Sequence, residues 1–143
     1  MKRNRLILIL VLLSGCHFPT DVSDTWVLRD VGVFRVQTPE NWRAFPLQGI
    51  DSRVGGLTDG QDTLLYDYGW YSYRLQNETS ATHQRIPLKL DGRAALLVRP
   101  LQPRKGTVGI YAEVDERNRF VQTGRNLRDE ETAVRMMKSV EFD

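Results

Sequence analysis

Apolar and polar residues alternate along several short segments of this chain, and this alternation limits the fold more than any other feature. In Val33–Gln37, the apolar Phe34 and Val36 are separated by polar residues, as in a half-buried β-strand. Pro39 is expected to end this strand, and Trp42 to begin a loop. Five further segments are predicted strands because they alternate in the same way or are rich in aliphatic and aromatic residues: Thr63–Tyr73, Ile86–Leu90, Arg93–Arg99, Val108–Val114 and Arg119–Thr123. The chain is therefore expected to build mainly an antiparallel sheet.

One hairpin can be placed from the sequence. Asp91-Gly92 separates Ile86–Leu90 from Arg93–Arg99, and both positions of a two-residue hairpin turn favour a positive φ, which suits this pair. Pro87 has no N–H to donate to a neighbouring strand. We therefore expect the first strand of the hairpin to lie at an edge of the sheet.

A single helix is predicted near the C-terminus. Asn126 is the candidate N-cap, and Asp129–Glu131 would place acidic groups near the positive end of the helix dipole. Apolar residues recur at helical spacing, and we expect them, with Met136, to fill the core: Ala133, Val134, Met137 and Val140. A last short strand is predicted over Val140–Phe142. The predicted class is α+β, an antiparallel sheet with the C-terminal helix packed on it.

The N-terminus has the composition of an export signal. Lys2, Arg3 and Arg5 precede Leu6–Leu13, an apolar run of eight residues. A helix that spans a bilayer needs about 20 apolar residues, so this run is too short. A basic start followed by a short apolar segment and small residues is typical of a cleaved signal peptide, here residues 1–15.

The end of this segment, Leu13-Ser14-Gly15-Cys16, resembles the lipobox of bacterial lipoproteins. The resemblance implies that Cys16 is acylated by membrane lipid and becomes the first residue of the mature protein. Two or more acyl chains give stable anchoring. The domain would then face the periplasm, and His17, where an Asp would favour inner-membrane retention, favours the outer membrane. Residues 16–25 are expected to form the lipidated Cys and a tether, and residues 26–143 a single α+β domain.

Charge and cysteine content exclude several classes of function. The whole chain has 20 Lys and Arg against 18 Asp and Glu, and removal of Lys2, Arg3 and Arg5 leaves 17 against 18. A net charge of −1 with no basic stripe argues against binding to nucleic acid. Cys16 is the only cysteine, so neither an internal disulfide nor a Cys-based metal cluster can form. No cofactor is expected.

Three segments resemble the Mog1/PsbP-like α+β sandwich: "FRVQTPENW", the hairpin Leu90–Ala94, and the ending "AVRMMKSVEF". In that family a helix runs into a Ser-Val/Ile-x-Phe strand. Separately, "GIDSRVG" followed by "DYGWYS" resembles a GIDSxVG…DYGxYS pattern of small, uncharacterised bacterial lipoproteins. The Mog1/PsbP resemblance implies a non-enzymatic role in partner binding or assembly, although a fold does not fix a function.

The stretch Gly49–Ser72 has the composition of either a site or a structured loop. A hydrolase would use Asp51, Ser52 and Asp67, but a serine nucleophile needs a neighbouring base. His17 and His83 are the two histidines; His17 lies on the predicted tether and His83 in a polar loop. Asp59 and Asp62 add oxygen ligands, yet their spacing is not that of a calcium-binding EF-hand, and Asp and Gly favour an ordinary turn. We therefore expect neither a catalytic residue nor a metal site.

The same stretch could instead be a recognition surface. Asp67 is unusual in an aromatic strand because a buried carboxylate needs partners. We expect it to accept hydrogen bonds from the Gly49–Gly55 loop, which contains Asp51 and Ser52, and so to fix that loop on the sheet. The rigid loop would then lie beside Tyr68, Trp70 and Tyr71, and aromatic residues with a polar group are common at interfaces.

The sequence therefore predicts a lipid-anchored binding or assembly module for a protein or envelope partner. Two alternatives stay open. One is an inhibitor or immunity lipoprotein, which would present an exposed loop to a toxin or lytic enzyme. The other is a hydrolase or metal-dependent enzyme centred on Asp51, Ser52 and Asp67. The basic segment 99–106 is expected to be a solvated loop, with contact to anionic lipid as the alternative.

Overall fold

The computed structural model of the protein describes residues 25–143. The predicted signal peptide, Cys16 and the tether up to residue 24 lie outside the described residues. Within the described part the chain forms one helix and ten strands: β1 (Trp26–Asp30), β2 (Phe34–Pro39), β3 (Arg43–Leu47), β4 (Arg53–Thr58), β5 (Thr63–Gly69), β6 (His83–Leu90), β7 (Arg93–Pro100), β8 (Thr107–Glu113), β9 (Arg119–Arg125), α1 (Glu130–Lys138) and β10 (Glu141–Phe142). None of the helical structure between residues 25 and 143 is long and apolar enough to cross a membrane.

Two antiparallel sheets contain these strands. The large sheet has seven strands in the order β3-β4-β5-β9-β8-β7-β6, and the small sheet has three in the order β1-β2-β10. The helix α1 packs against β8 of the large sheet and β2 of the small one. The predicted α+β class, an antiparallel sheet with a C-terminal helix on it, is confirmed at this level.

The predicted hairpin is confirmed. Leu90 pairs with Arg93 across Asp91-Gly92, and both turn residues have a positive φ, 47° and 77°. The strand that contains Pro87, β6, is the outermost strand of the large sheet, as expected of a strand that lacks one N–H donor.

Three strands, β1, β3 and β4, were not predicted, and the predicted strand Thr63–Tyr73 was too long, since β5 ends at Gly69. The strand β4 contains Gly55-Gly56, a pair that weakens a strand because it has no side chains to pack. Here tertiary contacts require both glycines. A Cβ on Gly55 would lie 2.4 Å from the Tyr66 hydroxyl oxygen, and one on Gly56 would lie 2.2 Å from the Phe45 ring.

The N-cap of the helix lies three residues later than predicted. Asp129 is the N-cap, and its carboxylate accepts a hydrogen bond from the Thr132 N–H at 3.0 Å. The prediction for Asn126 was wrong, because this residue adopts a positive φ of 53° and bonds to Gly106 instead. Its Oδ1 accepts from the Gly106 N–H at 2.8 Å. The predicted apolar stripe is confirmed: Ala133, Val134, Met136, Met137 and Val140 are buried.

The main core lies between the large sheet and a second layer, which consists of α1 and the small sheet. Aromatic rings from both layers meet edge to face. The Phe34 centroid lies 5.0 Å from that of Tyr66 and 4.9 Å from that of Phe120, and Phe142 lies 5.2 Å from Phe120. Full burial of such side chains contributes roughly 1.5–3 kcal/mol each. This core holds the sheet rigid and positions the loops at its ends.

The opposite face of the large sheet is covered in part by residues 70–82, which we call the strap. Leu75 of the strap is fully buried and packs against Val98 and Val121. It fits over Gly109, where an added Cβ would lie 3.1 Å from the Leu75 side chain. The Arg85 guanidinium ties down the strap by donating hydrogen bonds to the carbonyl oxygens of Leu75, at 2.9 Å, and Glu78. The strap thus forms a small second core.

Candidate functional site

The candidate site lies where β5 ends and β9 begins. Gly69 pairs with Arg119 at this end of the sheet, and the chain then turns at Trp70-Tyr71, which we call the aromatic turn. The loop before β4 packs against it. A Cβ on Gly69 would lie 2.6 Å from the Ser52 Cβ, so this position requires glycine to let the loop approach.

The Ser72 hydroxyl fixes the aromatic turn by hydrogen bonds to the adjacent strand ends. Its side chain is 3% exposed, and its hydroxyl lies 3.1–3.2 Å from the carbonyl oxygens of Asp67, Gly69 and Arg119 and from the Asp67 carboxylate. One hydroxyl proton can serve one or two of these acceptors at a time. The hydroxyl therefore joins the end of β5 to the start of β9 and orders the turn between them.

Arg119 fixes the turn from the side. Its Nη1 donates to the Trp70 carbonyl oxygen at 2.6 Å, and its guanidinium carbon lies 4.4 Å from the Trp70 ring centroid. Such cation–π contacts contribute about 0.5–1 kcal/mol at exposed sites. The side chains of the turn nevertheless face solvent: Trp70 is 47% exposed and Tyr71 82% exposed.

The expectation that Asp67 would hold the Gly49–Gly55 loop by hydrogen bonds was wrong. Within the described residues, the hydrogen bond to its carboxylate comes from Ser72 Oγ. The loop is held instead by close backbone packing on Gly69 and by the pairing of β4 with β5, in which Val54 lies opposite Asp67. Asp67 therefore acts through Ser72 on the aromatic turn.

The predicted aromatic surface is divided by the sheet. Tyr68 is half-buried on the side of the main core, where its ring centroid lies 6.4 Å from that of Phe142. Burial raises the pKa of Tyr68, and the nearby Asp115 carboxylate raises it further. Trp70 and Tyr71 lie beyond the end of the strand and are exposed. The structure brings these two together with Arg119 and does not bring Tyr68 to the same surface.

The hydrolase alternative needs a base for Ser52, and His83, the histidine within the described residues, lies far from it. Ser52 precedes β4 and His83 begins β6, and five strand spacings separate these two strands in the large sheet. At about 4.8 Å per spacing this is roughly 24 Å. The His83 Nδ1 atom pairs with the Thr82 hydroxyl at 2.8 Å. His83 therefore cannot serve as the base for Ser52, and Asp51 is exposed on its loop.

The acidic segment Asp59–Asp62 is a turn, as the composition favoured. Asp59 Oδ1 accepts from the backbone N–H groups of Gln61 and Asp62 at 2.8 and 2.7 Å. The buried Asp62 carboxylate accepts from the backbone N–H groups of Arg128 and Asp129 at 2.9 Å each, which holds the start of α1. No group of three or more potential His, Cys, Asp or Glu ligands occurs within residues 25–143.

The basic segment 99–106 is tied to the same helix. Arg99 lies on β7, and its guanidinium pairs with Glu130 and Glu131 of α1. The hydrogen bond to Glu131 is the largest cause of the raised pKa of Arg99. The Arg104 backbone N–H donates to the Glu130 carboxylate at 2.8 Å. The ion pairs of Arg99 neutralise part of the positive charge with which this segment could attract an anionic lipid surface.

Sequence reasoning missed the role of Arg119 and the existence of the strap. The sequence predicts Arg119 only as the first residue of a strand, and its partner Trp70 is distant in sequence. The strap has no apolar periodicity, since Leu75 is its one fully buried aliphatic residue.

Compared with known proteins, the chain has no match among family models and none among curated sequences.

Proposed function

We propose that this protein is a membrane-anchored periplasmic lipoprotein and that it acts as a non-enzymatic binding or assembly module for a protein or another envelope component. The lipobox-like sequence before Cys16 supports the anchor. For the domain we propose a Mog1/PsbP-like fold. The antiparallel sheet and the helix that runs through Ser139-Val140 into the strand Glu141–Phe142 support it.

The observation that favours a binding role is the exposed aromatic turn on a rigid support. Trp70 and Tyr71 present large ring surfaces to solvent while Ser72 and Arg119 hold their backbone in place. Binding to an ordered surface costs less conformational entropy than binding to a mobile one. Trp, Tyr and Arg are also the residue types that contribute most to protein interfaces.

One further observation favours the inhibitor or immunity role as a second candidate. Ile50 is 98% exposed at the tip of the loop that packs on Gly69. An apolar side chain held fully in solvent, in a loop that packs on the strand end just before the aromatic turn, resembles a loop presented to a partner. A partner that binds here would contact Ile50 and the aromatic turn together.

Site-specific photo-crosslinking in intact cells tests the proposal. We expect a photoreactive residue at Tyr71 to give a discrete crosslinked product, and one at Leu28, which is 55% exposed on β1, to give none. Tyr71→Ser should weaken the capture of the crosslinked partner and leave the melting temperature nearly unchanged, because an exposed substitution changes stability by about 0.5 kcal/mol or less. Equal crosslinking at both positions, or at neither, would reject this surface as the interface.

A further inference from the structure

Two depressions on the strap side of the large sheet share Arg74. The first has a volume of about 390 Å³ and is lined by Trp70, Tyr71, Ser72, Tyr73, Arg74, Gln76 and Arg119. The second has a volume of about 610 Å³ and is lined by Arg74, Arg93, Ala94, Ala95, Leu96, Tyr111 and Glu113. Arg74 lines both depressions, and we call the surface that the two form together the arginine groove.

Two guanidinium groups in this groove have unused donors. Within the described residues, the Arg74 side chain makes no ion pair or hydrogen bond, and Arg74 is exposed. Arg119 uses Nη1 on the Trp70 carbonyl oxygen, and its buried Nε forms an ion pair with the Glu113 carboxylate at 3.9 Å without a hydrogen bond; its Nη2 makes no hydrogen bond within residues 25–143. A guanidinium offers five N–H donors in a planar fork that matches a carboxylate. The Arg74 guanidinium and the Nη2 group of Arg119 can therefore donate hydrogen bonds to an anionic partner.

The charge of the groove is positive where the two depressions meet. Arg74, Arg93 and Arg119 line it, against the single carboxylate of Glu113 among its lining residues. Arg93 is already paired with Asp91 at 2.8 Å. Burial and the Glu113 carboxylate raise the pKa of Tyr111, whereas Arg74 and Arg119 lower it, so both arginines and Glu113 lie near this hydroxyl. A negative group would thus be attracted to the region between Arg74 and Arg119.

The floor of the groove beyond Arg74 is apolar. Leu96 and Tyr111 are half-buried, and Ala94 is exposed beside them. An aliphatic side chain would cover this floor, while a carboxylate next to it would reach the two guanidiniums. Arginine clusters recognise acidic motifs in other peptide-binding proteins. This alternation of an apolar and an anionic contact suits an extended protein segment better than a sugar or a lipid head group.

We infer that the arginine groove binds an acidic, extended segment of the partner protein, with a carboxylate between Arg74 and Arg119 and an apolar side chain over Leu96. The inference rests on the proposed function and names the chemistry of the partner. It assigns the aromatic turn to one end of the groove and Arg93 to the other.

Direct binding of defined probes tests it. The full chain is reconstituted in nanodiscs and titrated with a labelled hexapeptide of alternating glutamate and leucine, a lysine–leucine counterpart, and a uronic-acid oligosaccharide. We expect the glutamate peptide to bind more tightly than both of the others. Raising NaCl from about 0.05 to about 0.5 M should weaken its binding by roughly threefold or more, because salt screens exposed charges.

Variants locate the binding. Arg74→Glu should reduce the affinity for the glutamate peptide about tenfold, because it places a like charge beside the ligand carboxylate. Arg43→Glu is the matched control, since Arg43 is an exposed arginine on β3 at the far edge of the sheet. Arg119→Lys, which keeps the charge but loses the planar fork, should give a smaller loss. Melting temperatures of all three variants check that the fold is intact.

Several outcomes would overturn the inference. Equal losses in Arg74→Glu and Arg43→Glu would indicate non-specific attraction, and tighter binding of the oligosaccharide would assign the groove to an acidic glycan. A crosslinked partner at Tyr71 whose capture is unaffected by Arg74→Glu would reject the acidic segment and leave the proposed function standing. If no crosslink formed at Tyr71 while peptide binding still depended on Arg74, the proposed interface at the aromatic turn would be rejected and the binding of an acidic segment in the groove would stand.

Discussion

The two faces of the large sheet differ in how they are covered. On one face, α1 and the small sheet bury a continuous core that includes Phe34, Phe120 and Phe142. On the other, the strap buries a small cluster around Leu75 and leaves the aromatic turn and the arginine groove open to solvent. The first face consists of apolar contacts between regular elements. The second combines a short irregular segment, exposed rings and the guanidinium of Arg74, which has no partner within residues 25–143.

Under the proposed function, stability and recognition would reside on opposite sides of one sheet. Residues that bind a partner must be accessible, and accessible residues contribute little to the core. The large sheet reconciles the two requirements, because the main core holds its strands in place while the far face and the strand ends carry polar and aromatic groups. Substitutions on the two faces should therefore have different consequences.

The largest effect is expected from Phe120→Ala. Phe120 is fully buried, and its ring lies within 5.2 Å of both Phe34 and Phe142. The free energy of unfolding should fall by about 3–5 kcal/mol, as is usual when a buried aromatic ring is deleted. Urea denaturation followed by circular dichroism measures this loss. Phe120→Leu, which keeps most of the volume, should fold and lose less; a full-length Phe120→Ala protein with wild-type stability would contradict the assignment of the main core.

A smaller and more local effect is expected from Leu75→Ala. Leu75 is fully buried but contacts only the small cluster under the strap. The loss should be about 2–3 kcal/mol, and amide hydrogen exchange should accelerate within residues 70–82 more than in α1. Leu101→Ala, at a side chain that is 53% exposed, is the control and should change little. If Leu75→Ala accelerated exchange equally on both faces, the two faces would form one cooperative unit and the comparison would fail.

The main core was largely predictable from the sequence, and the strap face was not. Alternation identified β2, β6 and β8, and helical spacing identified Val134 and Met137, because apolar periodicity reports burial against a single layer. The strand β4 was not predicted, because its Gly55-Gly56 pair is required by contacts with Phe45 and Tyr66, and a single sequence does not show these contacts. Asp62 looked like a turn residue, and only the fold places its carboxylate at the start of α1.

The candidate site was predicted only in part, because it too depends on contacts between residues that are distant in sequence. Trp70 and Tyr71 stood out by composition, but Arg119 joins them from a strand that is 49 residues away in sequence. Tyr68 was assigned to their surface because the strand was expected to continue to Tyr73. The strand ends at Gly69, where Ser72 and Ser52 crowd the backbone, and this change of direction separates Trp70 from the side of the sheet that Tyr68 occupies.

The smallest effect, and one of opposite sign, is expected from Gln122→Met. Gln122 is an exception on the apolar face: it is fully buried in β9 opposite Tyr66 and Ile110, and neither atom of its side-chain amide has a hydrogen-bond partner among the described residues. A buried amide without partners costs about 1–3 kcal/mol relative to a satisfied one. Methionine has a similar length and no such requirement, so the substitution should stabilise the fold by about 1 kcal/mol.

Thermal denaturation gives the measurement for Gln122→Met, since a gain of this size should raise the melting temperature by roughly 3–5 °C in a domain of this length. Gln84→Met is the matched control, because Gln84 is exposed on β6 and should shift the transition by less than about 1 °C. A lower melting temperature for Gln122→Met would mean that the amide is satisfied in solution, for which a buried water with two or more polar neighbours is the physical route. The main core would then contain a hydrated polar side chain, and the two faces of the sheet would differ less in polarity than the comparison assumes.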